Sequence, residues 1–295
     1  MNRLLDPWLW VPAPPPDPLA ARDPEFIRGE LGRLAPLIER YHTASITGWD
    51  NVPEGGALVV GNHSGGAMAP DMFALMVAWW RRYGVEASAY GLMHDAVFRV
   101  PPVGRYMAKL GAVPAHPSHA ATLLARGAKV LVYPGGDIDA FRPASQAARV
   151  VFGSRRGFVR VALRARVPIV PVVSHGAHDA LKILTDGRSF VQRTGLKRVM
   201  RSEVLPVSIG LPWGLFLGTL FYLPWPVKMK MRILPAMGWP ELDPRAADDA
   251  DVVSACKARV EAVMQAALAE LAAEGGTGRK SVGEAWTDWR KRPAT

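Results

Sequence analysis

Cysteine is nearly absent from this chain of 295 residues, since Cys256 is the single one. An intrachain disulfide is therefore impossible, and a zinc site built on cysteine ligands is excluded. Acidic residues are also scarce: 26 Asp and Glu stand against 36 Lys and Arg, which leaves a net charge of +10. Such a charge favours anionic partners, namely a membrane surface, a nucleic acid or a phosphorylated cofactor. No recognisable nucleic-acid-binding motif accompanies the charge, so we expect no nucleic acid as a partner.

The two ends of the chain lack the patterns of targeting segments and of a packed core. Asp6 and five prolines between positions 12 and 18 interrupt the apolar run that a secretory signal needs. We predict an N-terminal arm and helix over residues 1–44, in which Trp8 and Trp10 either anchor to a membrane interface or pack on the body of the protein. For residues 275–295 we predict a mobile basic tail that contacts lipid, and the alternative is a tail that is only solvated.

Between these ends, short apolar runs alternate with helical patterns. The predicted strands are Ala57–Val60, Val85–Leu92, Gly111–Ala115, Lys129–Tyr133, Pro168–Val173 and Lys228–Leu234. The predicted helices are Pro70–Tyr83, Val103–Leu110, Ser118–Arg126, Gly153–Arg166 and Asp249–Ala273, the last within a C-terminal unit over 241–274. Strands separated by helices predict an α/β layered domain with a largely parallel central sheet flanked by helices.

One segment, residues 204–227, contains no charged residue and is long enough for a membrane span. Its four prolines and three glycines argue against one straight helix. We therefore predict a membrane-associated segment that dips into one leaflet, with a buried hairpin in the core as the alternative. The flanking cations Arg198, Arg201, Lys228 and Lys230 would meet anionic lipid.

The first chemical motif reads Gly-Asn-His-Ser-Gly-Gly over residues 61–66 and is followed by Pro70 and Asp71. It places His63 at the end of a buried strand, where catalytic groups of α/β sheets lie. A carboxylate a few residues later would hold the imidazole in one tautomer and leave its other nitrogen as a general base. The alternative is a histidine that only bonds a loop carbonyl.

The second motif, Tyr133–Pro143, follows another predicted strand and should open on the same edge of the sheet. Gly135 and Gly136 would present N–H groups to an oxyanion, and Asp139 or Arg142 would orient a substrate. The alternative is a turn that needs glycine for its backbone angles.

A third stretch is rich in arginine. Arg156, Arg160 and Arg164 recur every four residues and therefore share one helix face, which suits a phosphate-rich cofactor or lipid headgroups as well as plain solvation. The pairs His116-x-x-His119 and His175-x-x-His178 are weak metal signals, and we expect no metal.

Together these blocks resemble the glycerolipid and lysophospholipid acyltransferase superfamily, specifically its diacylglycerol-acyltransferase-like branch. The resemblance rests on SITGWDNVPEGGALVVGNHSGG over Ser45–Gly66, the Pro-Gly-Gly block, the Arg-Arg-Gly-Phe-Val-Arg-Val-Ala helix and the Val-Pro-Ile-Val-Pro-Val strand, in the expected order. It extends over residues 45–240, which we interpret as an acyltransferase domain.

The resemblance implies transfer of a fatty acyl group from acyl-CoA to a hydroxyl of a glycerolipid or other lipid alcohol. His63 would be the general base and Asp71 its orienting partner, with no acyl-enzyme, no metal and no cofactor beyond the co-substrate acyl-CoA. Membrane lipids would be partners at the cytoplasmic face of a membrane. The implied substrate contacts are Asn62, Ser64, Gly65, Gly66, Tyr133, Pro134, Gly135, Gly136, Asp139 and Arg142. The implied contacts to the acyl-CoA phosphates are Arg155, Arg156 and Arg160.

The chain departs from the superfamily pattern in two places. Seven residues separate His63 from Asp71 where four are usual, and Tyr-Pro-Gly-Gly replaces the Phe-Pro-Glu-Gly of the phosphate-acceptor enzymes. The second departure favours a neutral acceptor. Two other functions stay open: a non-catalytic membrane-binding protein of the same fold, and a lipid esterase that would use Ser64, although no Gly-x-Ser-x-Gly elbow is present.

Overall fold

The computed structural model describes residues 17–194, 202–219 and 222–290. Its strands are β1 (Thr43–Thr47), β2 (Ala57–Gly61), β3 (Ala89–Met93), β4 (Ala112–Pro114), β5 (Lys129–Val132), β6 (Ile169–His175), β7 (Lys182–Thr185), β8 (Val207–Gly210), β9 (Gly214–Leu217), β10 (Val227–Ile233) and β11 (Gly278–Arg279). Its helices are α1 (Pro24–Pro36), α2 (Pro70–Tyr83), α3 (Asp95–Phe98), α4 (Pro101–Lys109), α5 (Pro117–Ala125), α6 (Gly136–Ala140), α7 (Gly157–Ala165), α8 (Arg188–Thr194), α9 (Ala250–Ala273) and α10 (Val282–Arg290). Trp8, Trp10, Arg198 and Arg201 lie outside the described residues.

The central sheet has the strand order β1-β10-β6-β2-β5-β3-β4, and β11 pairs with β10. Strands β2 to β6 run parallel to one another, whereas β10 is antiparallel to β6 and parallel to β1. Parallel neighbours need crossover connections, which the helices between the strands supply. The predicted α/β layered domain with a largely parallel sheet is therefore confirmed.

Strand β2 shows how the sheet acquires a layer of helices on each face. Because side chains alternate along a strand, Leu58 and Val60 pack with α5, α7 and α9, while Ala57 and Val59 pack with α1 and α2. All four side chains are buried. A strand covered on both faces reads as an unbroken apolar run, which is what made β2 recognisable in the sequence.

Two predicted elements are shorter in the structure. Strand β3 starts at Ala89 and not at Val85, because the guanidinium of Arg22 takes the carbonyls of Val85 and Ala87, the latter at 2.9 Å. Those two carbonyls are therefore hydrogen-bonded to Arg22 and do not pair with a neighbouring strand. Helix α7 begins at Gly157, four residues later than predicted, because Gly153 has a φ of +60° and lies in a turn.

Within residues 204–227, β8 and β9 make an antiparallel hairpin, which joins β7 in a small second sheet of order β7-β8-β9. One side of this hairpin is buried, with Ser208 and Phe216 facing inward, and the other side is exposed. The hairpin is therefore half-exposed and not the fully buried hairpin of the alternative, whereas the predicted contact of this segment with a membrane leaflet stays a prediction. Over the described ranges, no helix is both long and apolar enough to cross a membrane.

The predicted basic tail is ordered where the structure describes it, as β11 and α10. Lys280 explains this, because its side chain is fully buried and its ammonium forms an ion pair with Asp288 at 2.9 Å. The same ammonium donates to the carbonyls of residues 40, 41 and 42 at 2.8, 3.3 and 3.3 Å. A charge buried in this way fixes the C-terminal segment to the end of the α1 region.

We expect Lys280→Met to lower the free energy of unfolding by about 2–4 kcal/mol, because it removes the buried ammonium that three carbonyls and the Asp288 carboxylate share. The matched control is Lys228→Met, which removes an exposed ion pair to Glu284 and should change stability little. Urea unfolding of both variants measures the difference. Equal effects would contradict the role assigned to Lys280.

Candidate active site

His63 and Asp71 meet at the carboxyl edge of the central sheet. His63 lies two residues beyond the end of β2, and its Nδ1 is 3.2 Å from Oδ2 of Asp71. The Asp71 side chain is completely buried in the first turn of α2, where the helix dipole favours a carboxylate. It also accepts the backbone N–H groups of Ser64 and Met72, each at 2.8 Å. These bonds fix the carboxylate against the imidazole.

The loop between the two residues explains their unusual spacing. Gly65 and Gly66 have φ values of +86° and +68°, and Ala69 has a φ of +43°. A short 3₁₀ turn, Gly66–Met68, lies between these left-handed residues and folds the chain back. The extra residues are therefore absorbed in a compact turn, and Asp71 still reaches His63. Glycine is required at Gly66, since a Cβ there would be 2.7 Å from the Tyr222 hydroxyl.

Burial is the largest influence on the pKa of His63, and it opposes the charged imidazolium. The charge and hydrogen bond of Asp71, together with the charge of Asp139, act the other way, and Arg142 slightly opposes them. The net result is a pKa of His63 raised above its ordinary value. A neutral His63 that donates its Nδ1–H to Asp71 keeps Nε2 as an acceptor for a proton.

Asp139 and Arg142 hold the main chain of His63. The carboxylate of Asp139 accepts the His63 N–H, and Nη1 of Arg142 donates to the His63 carbonyl at 2.5 Å and to Oδ1 of Asp139 at 2.7 Å. The remaining guanidinium nitrogens donate to the carbonyls of Gln146 and Ala147 at 3.0 and 3.1 Å. Both side chains are buried and bond the main chain of His63, and their predicted contact with substrate stays a prediction. Burial raises the pKa of Asp139 to about 6, against the opposing charge of Arg142.

The Pro-Gly-Gly turn is closed by Arg155. Its Nη1 donates to the Gly135 carbonyl at 2.7 Å, and its Nη2 forms an ion pair with Asp137 at 2.5 Å. The N–H of Gly136 donates to the Tyr133 carbonyl at 3.0 Å, and its predicted role as an oxyanion donor stays a prediction. Tyr133 itself stacks on His63, with ring centroids 4.4 Å apart. Burial raises the pKa of Tyr133 far above its ordinary value.

A cavity of about 530 Å³ opens beside His63. Its walls come from the first motif, the Pro-Gly-Gly turn and α7, and include Gly66, Pro134, Gly136 and Arg155. A second, narrow and largely apolar cavity of about 80 Å³ lies between α2, α4 and the sheet. Both cavities are lined by Met72, Leu92, Met93 and Tyr133, so they adjoin at the site.

The other predicted site residues have different surroundings. The Asn62 amide bridges β2 to β6 through the backbone of Ser174, at 2.8 and 3.0 Å, and is fully buried. Ser64 is buried, and its hydroxyl has no hydrogen-bond partner within the part of the chain that the structure describes. Arg156 donates to the Ser254 hydroxyl on α9 at 2.7 Å, whereas Arg160 is exposed on α7.

Tyr222 belongs to the site but was missed in the sequence, where it counted as part of the apolar 204–227 segment. Its hydroxyl donates to the Gly65 carbonyl and accepts the Met68 N–H at 3.2 Å. A tyrosine in an otherwise apolar run was the available signal, because a buried hydroxyl needs a partner. In the described ranges, no three His, Cys, Asp or Glu side chains cluster as metal ligands would.

Residues 44–175, which contain His63, Asp71, Asp139 and Arg142, match the family model described as Acyltransferase. This segment is therefore similar to that family, and the resemblance predicted from its motifs is confirmed.

Curated relatives extend this likeness. A Mycobacterium tuberculosis protein described as uncharacterized is 30% identical over 58% of this chain and 48% of its own length. The mouse "DGAT1/2-independent enzyme synthesizing storage lipids" is 26% identical over 60% of this chain and 52% of its own. The chain thus spans about half the length of the curated relatives it matches. Among solved structures, the LPA acyltransferase PlsC of Thermotoga maritima aligns over 85% of this chain and 84% of its own, with a TM-score of 0.49 and 19% identity.

Because Asp71 raises the pKa of His63, we expect Asp71→Asn to lower it. The imidazole resonances of His63, assigned by their loss in His63→Gln, would report the titration by NMR. Wild-type His63 should titrate above 6.5, and the variant lower. Asp95→Asn, which changes an exposed carboxylate on α3, serves as the control and should leave the midpoint unchanged. An Asp71→Asn midpoint equal to that of the wild type would contradict the pairing.

Proposed function

We propose that the protein transfers a fatty acyl group from acyl-CoA to a hydroxyl of a glycerolipid or other lipid alcohol. The contact of 3.2 Å between buried Asp71 and His63, at the wall of a cavity of about 530 Å³, carries this proposal. A paired His and Asp at a cavity wall is the arrangement that general-base catalysis needs. The acyltransferase-family match over 44–175 supports the reaction type.

In the proposed reaction, Nε2 of His63 takes the proton of the acceptor hydroxyl as its oxygen attacks the thioester carbonyl. The imidazolium that forms is stabilised by Asp71, and it returns the proton to the thiolate of CoA as the carbon–sulfur bond breaks. The acyl group then forms an ester with the acceptor. Ser64 supports neither an acyl-enzyme nor an esterase, because its buried hydroxyl makes no hydrogen bond to His63 or to any other described residue.

The narrow cavity is the proposed site of the acyl chain. It is lined mainly by apolar side chains from α2, α4 and β3, among them Trp79, Met107 and Leu110, and it adjoins the larger cavity at Tyr133. An alkyl chain gains free energy from leaving water for such a lining. A chain seated there would bring its thioester to the wider cavity beside His63.

For the acceptor, we propose a neutral lipid alcohol. Arg142 is buried and committed to the main chain and to Asp139, which supports the absence of a phosphate clamp at that position. The name of the mouse relative, which refers to storage lipids, agrees with a neutral acceptor.

Arg155, at the rim of the larger cavity, is the proposed contact for acyl-CoA phosphates, with Arg156 and Arg160 as further candidates. We place the reaction at the cytoplasmic face of a membrane, and we propose no cofactor and no metal.

We expect His63→Ala to lower the rate of acyl transfer by about 10²–10⁴-fold, since a positioned base is lost. Purified protein, labelled acyl-CoA and a panel comprising diacylglycerol, a long-chain alcohol, lysophosphatidic acid and glycerol 3-phosphate would be followed by mass spectrometry. His175→Ala is the matched control, because His175 also ends a strand but binds Thr277 at 2.9 Å outside the cavity lining.

The outcomes separate the alternatives. Wild-type turnover in a folded His63→Ala variant would refute the mechanism. Release of free fatty acid without transfer would indicate an esterase, and no product from the wild type with any acceptor would indicate a non-catalytic protein.

Gly91→Leu should shorten the longest acyl chain that the protein transfers, by a few carbons. Gly91 lines the narrow cavity, and a Cβ built on it meets open space, so the new side chain would fill the cavity without displacing a neighbour. Gly29→Leu on exposed α1 is the control, since a Cβ there also meets open space. Competition among acyl-CoA substrates of different chain length measures the effect. An unchanged chain-length preference would show that the acyl chain does not occupy the narrow cavity.

A further inference from the structure

The second sheet exposes an unusual concentration of large apolar side chains. Eight of the sixteen exposed large apolar residues of the described chain lie between Leu184 and Leu223. Six of these define what we call the hairpin face: Ile209, Leu211, Trp213, Leu215, Leu217 and Leu223. The side chains of Leu215, Leu217 and Trp213 are 66%, 57% and 56% exposed. A patch of this kind on a folded protein marks a site of interaction.

Strand alternation makes these residues one surface. On β8 and β9, Ile209 lies opposite Leu215, while Ser208 and Phe216 point to the buried side. An isolated bridge pairs Leu211 with Leu223 and extends the same surface. The hairpin therefore carries apolar side chains on both its buried side and its exposed side. A hairpin whose outer side faces water would carry polar residues there.

Charge identifies the chemistry of the partner. Lys182 is exposed on β7 and is paired in register with Ile209, so a cation borders the hairpin face. The connection from β7 to β8, residues 186–206, carries five basic residues against two acidic ones: Arg188, Arg193, Lys197, Arg198 and Arg201 against Asp186 and Glu203. Apolar side chains with a tryptophan, bordered by cations, fit the boundary of an anionic lipid surface.

We propose that the hairpin face docks on an anionic lipid surface. Strand β9 is at the edge of its sheet, so its outer backbone groups have no strand partner in the described chain and need water or headgroups. The hairpin therefore enters only the headgroup and upper acyl region, a depth of about 5–10 Å. The exposed cations Lys182 and Arg193 bind headgroups while Leu215, Leu217 and Trp213 leave water.

This surface lies directly behind the site. The buried side of the second sheet packs on Phe141, which lines the larger cavity. Tyr222, one residue before Leu223 of the hairpin face, bonds to Gly65 and Met68 in the loop between His63 and Asp71. A docked lipid surface would therefore be separated from the larger cavity only by the second sheet and Phe141.

Flotation with vesicles of phosphatidylcholine and phosphatidylglycerol in equal parts tests the docking without any turnover, so its outcome does not depend on the proposed reaction. Leu215→Ser/Leu217→Ser should weaken binding about tenfold or more at high salt, where the apolar contribution dominates. The matched control is Val282→Ser/Trp286→Ser on α10, where Trp286 is 58% exposed, and it should bind like the wild type. Because all four side chains are exposed, unfolding midpoints should stay equal.

Single-site labels locate the contact. Cys256 is buried, so an environment-sensitive fluorophore on Leu215→Cys or Val282→Cys reports its own position. With the same vesicles, the label at Leu215 should shift to the blue and be quenched by headgroup-region quenchers, whereas the label at Val282 should stay unchanged.

Three results would overturn the proposal. Complete release of the wild-type protein from the vesicles at high salt would show that no apolar contact contributes to binding. Shielding of the Leu215 label from iodide in lipid-free protein would show that this chain or a second copy already covers the face. Equal loss of binding in the α10 control would assign the contact elsewhere.

Discussion

The buried ion pair between Asp139 and Arg142 is the interaction on which the site depends, because it holds both main-chain polar groups of His63. Burying two charges costs free energy, and good geometry with further hydrogen bonds offsets that cost here. Removing one partner would leave the other uncompensated, typically at about 3–5 kcal/mol. Neither group needs to meet substrate. Their effect is to fix the main chain at the strand end from which the imidazole of His63 extends. The hydrogen bond with Asp71 then fixes the orientation of the imidazole ring.

The same pair explains where sequence reasoning failed. The strand-end positions of His63 and of the Pro-Gly-Gly block follow from apolar runs, and Asp71 follows from a proline-started helix, so these were predictable. Whether Asp139 points into the cavity or toward the backbone depends on the path of α6, a helix of barely more than one turn. No periodicity encodes that direction, and polar residues beside a glycine turn read equally well as substrate contacts.

Hydropathy failed in a related way over residues 204–227. A window sum adds the inward Phe216 to the outward Leu215, so it cannot show that one side of the segment is buried and the other exposed. Only the strand register separates the two faces, and that register depends on tertiary packing against Leu181 and Phe141. At Lys280 the sequence misled in the opposite direction. A basic residue in a basic tail predicts a solvated side chain, but the Lys280 side chain is buried and its ammonium binds three carbonyls and a carboxylate.

Under the proposed function, the layered fold brings two apolar regions to one histidine. The narrow cavity lies among α2, α4 and β3, whereas the hairpin face lies on the outer side of the second sheet, and none of the six residues of the hairpin face lines either cavity. The proposed acyl-chain site and the proposed lipid-docking surface are therefore two separate apolar surfaces. Tyr222 joins these arrangements, because its ring packs with Phe216 in the second sheet while its hydroxyl bonds the loop that brings Asp71 to His63. Tyr222 is thus a direct contact between the second sheet and the loop that sets the geometry of the His63–Asp71 pair.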